Sequence, residues 1–199
     1  MAVTDIIVSP AALWYSPLST ALPDETTVAA GAAWASWTSL GYTLAPVELG
    51  FDVETFELEV EQLANPIRRV RTKEVATIET MLAENSAANL KLALASSQSV
   101  TTVAAGASQH GFDTLKVGGE VLMPEYQFGF EAVVYDSSNR ALIKRVFVYR
   151  GTAVMGGKLS YSKKAAAGIP LKIIALADTA KAAGQQLIEV QYVTAWKTS

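Results

Sequence analysis

The chain has 199 residues, 50% hydrophobic and 18% charged, with a net charge of −3; this length fits one domain with a full core. The weak negative balance argues against a sequence-reading nucleic-acid binder, which presents a strongly basic face. The absence of cysteine excludes disulfides, thiolate nucleophiles and thiolate metal sites. No apolar run approaches the ~20 residues of a membrane-spanning helix, and Met1 to Asp5 carry no basic lead into a long apolar stretch. A soluble chain without a secretory signal or membrane anchor, made and assembled in the cytoplasm, is therefore expected.

Residues 1–40 are low in charge, rich in Ala, Ser, Thr and Pro, and carry Trp14, Tyr15, Trp34 and Trp37 without a clear period. They are read as an N-terminal arm whose aromatics meet a partner surface, against the alternative of a loose leader with a few core aromatics. Residues 41–199 then form a single β domain.

The segment at residues 54–61 alternates strictly. Phe56, Leu58 and Val60 fall on one face and Glu57, Glu59 and Glu61 on the other, the period of a half-buried strand with a row of carboxylates turned away from the core. Asn65-Pro66 marks a turn, and Arg68, Arg69, Arg71 and Lys73 crowd into the returning segment. Alternation resumes with Ala76, Ile78, Thr80 and Leu82. Asn85 and Ser86 offer side-chain oxygens to open a helix over residues 87–94, with Ala87, Leu90 and Leu94 as its expected buried stripe.

Residues 96–119, broken by glycines, read as loop or weak strand. Strands are predicted at residues 120–123, 127–135, 141–149, 158–162, 168–178 and 187–193, with a hairpin connection at residues 136–140. Short strands at regular spacing with one helix predict a mainly β fold of packed antiparallel sheets, a sandwich or barrel-like arrangement.

No catalytic or cofactor site emerges. His110 is the lone histidine, in a Gly-flanked polar loop, and no Gly-x-Ser-x-Gly elbow supplies it with a nucleophile. Residues 151–158 approach a phosphate-binding loop, but the spacing is one residue too long and Leu159 stands where Ser or Thr would hold magnesium, so a hairpin turn is the reading. The carboxylates of residues 54–61 spread along an extended segment instead of converging on a cation. The basic cluster fits a solvated loop or ion-pair partners of acidic neighbours better than a phosphate site.

The order of these features resembles the major tail tube protein of long-tailed bacteriophages. The resemblance rests on the strand, turn and strand of residues 41–82, the helix entry from Glu84-Asn85 into Asn89-Leu90, and the late segment Ile169-Pro170-Leu171 running through Ala175-Leu176-Ala177-Asp178 to a glycine turn. It implies six-membered rings of this chain stacked into a hollow virion tube, with DNA passing through the bore without specific binding. Tape measure, tail terminator and tail-tip proteins are the implied partners, and no cofactor or reaction is implied. On this resemblance Glu57, Glu59 and Glu61 are lumen-facing, and Asn65, Pro66, Arg68 and Arg69 belong to an inter-ring loop. Rival readings are a distal tail hub or contractile-system tube protein of similar fold, a β-sandwich module that binds glycans or host surfaces, and an enzyme.

Overall fold

The computed structural model describes residues 10–194, apart from 25, 27, 64, 136–139 and 165. The strands are β1 (Ala11–Ser16), β2 (Thr38–Ser39), β3 (Glu48–Leu58), β4 (Arg68–Leu82), β5 (Thr101–Val103), β6 (Phe112–Thr114), β7 (Tyr126–Tyr135), β8 (Ala141–Met155), β9 (Ile169–Ala175) and β10 (Ile188–Tyr192), with one helix, α1 (Ala87–Ala93), between β4 and β5. Eight strands make an antiparallel sheet in the order β2-β1-β7-β8-β9-β4-β3, with β10 also paired to β8, while β5 and β6 form a separate ribbon. The mainly β, antiparallel, one-helix fold is as expected. The sheet is not closed into a barrel: it ends at β2 on one side and β3 on the other.

Period-2 patterning builds the main core. On β4 the residues Ala76, Ile78, Thr80 and Leu82 are buried, as the alternation predicts, and Ile169, Leu171, Ile173 and Ala175 of β9 join them. Leu13, Phe128, Phe130, Val146 and Val148 from the other half of the sheet belong to the same cluster. The sheet therefore wraps its own core, and Leu92 and Ala93 of α1 close it. This is the core face. Ser86 caps α1, its hydroxyl accepting from the Asn89 N–H at 3.1 Å, a cap of about 1 kcal/mol.

The buried stripe of α1 differs from the prediction: Asn89, Leu92 and Ala93 are buried, whereas Leu90 is partly buried and Leu94 is exposed. The Asn89 carboxamide donates to the carbonyls of Leu40 and Glu84. Those two bonds turn the helix so that its polar anchor faces inward.

The described part of the N-terminal region, from residue 10 onward, is built into the sheet and its second cluster. β1 lies inside the sheet between β2 and β7, with Trp14 opposite Ser39 on one side and Gly129 on the other. Trp14, Trp34 and Trp37 are buried with Val28 and Phe147 in a second cluster, on the face of the sheet opposite the core face. Trp34 stacks on Trp14 at 4.2 Å and meets Trp37 edge-on. Gly129 permits this, because a Cβ there would lie 2.6 Å from the Trp34 ring. Beside the indoles, Arg145 donates from Nε to Glu131 Oε2 at 2.7 Å and from its guanidinium to the Val28 carbonyl at 2.7 Å, while the Gly31 N–H donates to Glu131 Oε1. This buried pair fastens the N-terminal segment to the sheet, so both faces of β8 are covered and burial is continuous from Arg145 to Tyr149.

Elsewhere the expected strands at residues 120–123 and 158–162 are irregular. Residues 151–155 continue β8, so the turn expected from residue 151 begins only at Gly156. Of the expected connection at residues 136–140, residues 136–139 lie outside the described residues. Among the described residues, no helix is long and apolar enough to cross a membrane.

Candidate assembly surface

β3 and β4 form a hairpin whose outer half stands clear of the core. As far as Val53 its apolar side chains keep to the core face, with Leu49 opposite Ile78 and Phe51 opposite Ala76. The polar pair Glu54-Thr55 then offsets the pattern by one, and because a strand alternates strictly, Phe56 and Leu58 fall on the opposite face. The ladder shifts at the same place: Glu54 pairs with Lys73 and Thr55 with Arg71, leaving Thr72 as the extra residue of a bulge. The bulge keeps Val70 opposite Phe56.

This overturns one expectation. Phe56, Leu58 and Val60 do not seek the chain's own core: Phe56 is 58% exposed, Leu58 is exposed and Val60 is half-buried. Glu57, expected to point away from the core, lies on the same sheet face as Ile78 and Ala76, further out along the hairpin. It makes an ion pair with Arg69, its partner across the ladder. Glu54 with Lys73 at 2.9 Å and Glu74 with Arg71 at 2.6 Å extend the series. Exposed pairs of this kind contribute at most about 1 kcal/mol each; the two that cross the ladder, Glu57–Arg69 and Glu54–Lys73, help to hold the register, while Arg71–Glu74 lies within β4. Glu59 and Glu61 lie beyond the strand, exposed and without an ion pair among the described residues. Asn65, Pro66, Arg68 and Arg69 are exposed at the turn and the start of β4, and Arg68 takes no part in the ion pairs.

Of the aromatic residues expected to dock on a partner, Trp14, Trp34 and Trp37 are consumed by the chain's own interior. Tyr15 is half-buried against Tyr126. Large apolar side chains are left exposed elsewhere, among them those of the outer hairpin, Tyr42, Tyr161 and Tyr192, and Val121 (94%) and Leu122 (84%) beside Met123.

A pocket of about 420 Å³ lies between residues 18–22 and Tyr149, Arg150, Asp178 and Lys181. There the Tyr149 hydroxyl donates to Glu189 at 2.6 Å, Arg150 donates to Glu125 at 2.6 Å, and Lys181 lies over the Tyr149 ring. The Tyr149 bond holds the Glu189 carboxyl below its ordinary value against the opposing effect of burial, while burial and then that bond push the Tyr149 hydroxyl up. His110 is exposed between β5 and β6. No cluster of three or more metal-ligating side chains occurs among the described residues.

A family model described as phage tail tube protein matches residues 4–198. The chain belongs to that family. No curated protein matches it. Membership makes this a structural component of a phage tail, one that associates with itself in a tube. For a tail tube protein the informative surfaces are those that one copy leaves unsatisfied: the β3 edge, the outer hairpin and the Val121-Leu122-Met123 segment. The buried Glu131–Arg145 pair and that apolar segment were not singled out from the sequence, although Glu131 and Arg145 are equidistant from the centre of the predicted hairpin connection.

Proposed function

We propose that six copies of this chain form a ring, that rings stack into the tail tube of a long-tailed phage, and that the tube conducts DNA into the host without catalysing a reaction. Tape measure, tail terminator and tail-tip proteins are its partners, and assembly takes place in the host cytoplasm before the tail joins the virion. The observation that carries this reading is a main sheet ending in the long, largely exposed strand β3 in a chain of the tail tube family. An unpaired strand edge is a template for further pairing, and a closed ring satisfies every such edge. Negative-stain electron microscopy of purified protein, with and without tail initiator proteins, should reveal rings or tubes. Monodisperse monomer under both conditions would overturn the reading.

In this reading the turn with Asn65, Pro66, Arg68 and Arg69 meets the next ring. Arg69 is already bound to Glu57, so Arg68 is the cleaner probe. Arg68→Glu should shorten tubes or lower their yield while leaving circular dichroism unchanged, because a rim charge acts on association more than on folding. Tubes of normal length and yield would remove the turn from the ring contact.

Glu57, Glu59 and Glu61 line the bore in the same reading, with Glu59 and Glu61 supplying the unpaired charge. Carboxylates repel the DNA backbone, whereas a basic lining would release counterions and hold the duplex. The triple replacement by Lys should still assemble, since exposed carboxylates add little to stability, yet slow DNA release from triggered virions. Normal release from correctly formed tails would argue against these residues lining the bore.

A further inference from the structure

The outer half of the hairpin carries ion pairs on its core-face side and exposed apolar side chains on the opposite side, where the Glu54–Lys73 pair lies at the inner end and Arg68 stands opposite Leu58. On the core-face side Glu57 is bound to Arg69, and Arg71 is bound to Glu74. On the opposite side Phe56, Leu58 and Val70 are all exposed, and the register sets Phe56 against Val70. Leu63 and Ile67 extend the apolar character around the turn. Another uncovered apolar feature, with the most exposed large apolar side chain among the described residues, is at a different place in the fold. Val121, Leu122 and Met123 project from the connection between β6 and β7, just after Gly118 and Gly119, both at positive φ. Glu120 fixes the base of this projection, accepting from the Ser96 hydroxyl and the Ser97 N–H.

We infer that these surfaces are two halves of one contact between copies: the Phe56, Leu58 and Val70 face of the hairpin receives the Val121-Leu122-Met123 projection of a second copy of this chain. The inference rests on the proposed tube, because it takes the second copy as occupant from the family's association with itself. A surface that meets its own copy about a two-fold axis closes as a dimer and stops. Two different surfaces on one chain meet head to tail and propagate around a ring or along a filament, as a tube requires. Contiguous uncovered apolar groups mark such contacts. Ion pairs stand on both sides of the hairpin, and beyond Glu54 and Lys73 it is the exposed Phe56–Val70 cross-strand pair with Leu58 that gains from being covered.

Disulfide trapping tests this directly, because the chain contains no cysteine. Phe56→Cys with Leu122→Cys in one chain, assembled and then oxidised, should give a ladder of covalent oligomers beyond the dimer. Either single variant should give no ladder. A parallel variant, Phe56→Ser with Val70→Ser, should raise the concentration needed for assembly about thirtyfold, the effect of losing one interface anchor, with the monomer's thermal transition unchanged. If wild-type protein forms tubes while the double-cysteine chain gives no ladder and the serine variant assembles at wild-type concentration, the contact is wrong and the tube stands. If wild-type protein forms neither rings nor tubes, with or without initiator proteins, both fall.

Discussion

Glu131→Ala is expected to destabilise the chain by about 3–5 kcal/mol, the usual cost of removing one partner from a buried ion pair. Both side chains are at most 2% exposed, so Arg145 would be left charged in the interior without its carboxylate. The Gly31 N–H would lose its acceptor as well. Replacing both partners, Glu131→Met with Arg145→Met, should cost less than the single change, because no isolated charge remains. It should not restore full stability, since the Val28 carbonyl and the Gly31 N–H would then lack the partners they have now. Denaturant unfolding of the three proteins decides the matter. A loss under about 1 kcal/mol for Glu131→Ala would show that the pair does not anchor the N-terminal segment.

Trp34→Ala should cost about 3–5 kcal/mol, the range for deleting a large aromatic from a core. Trp34 is 2% exposed and touches Trp14, Trp37 and Phe147. Its indole Nε1 is buried without a hydrogen-bond partner, so Trp34→Phe should be milder than ring area alone suggests: the smaller ring also removes an unsatisfied donor. Near-ultraviolet circular dichroism should lose the signal of the stacked Trp14 and Trp34 in both variants, with thermal unfolding ranking Ala well below Phe. Equal stability of Trp34→Ala and wild type would mean that this cluster is not part of the folding core.

What was legible in the sequence follows from how local each signal is. Alternation at Ala76, Ile78, Thr80 and Leu82 identified β4 and its buried face, and Ser86 identified the helix start, because each depends on neighbours a few residues away. The outer hairpin misled for the same reason. Alternation states that Phe56 and Glu57 point to opposite sides but not which side holds the core, and the offset at Glu54-Thr55 reverses the answer within one strand. The indoles lack a period because Trp34 and Trp37 sit outside or beside short irregular backbone; their burial is decided by Gly129 and Phe147, more than ninety residues away. For the proposed surface, residue types and turn position could be read directly, while the solvent exposure of Phe56 and Leu122 required the folded chain.

The fastening of the N-terminal segment also dictates when a newly made subunit can finish folding. The β3–β4 hairpin pairs strands close in sequence and can form as soon as it leaves the ribosome, whereas α1 must wait for β8 and β9 to pack against. The Val28 carbonyl must wait for Arg145, 117 residues later, and β8 waits further for β10. For most of synthesis the aromatic segment at the front of the chain therefore has nothing to close upon. The exposed hairpin is the early product and its support the late one, so a translating chain displays its sticky apolar strip before the body that would carry it into a tube exists.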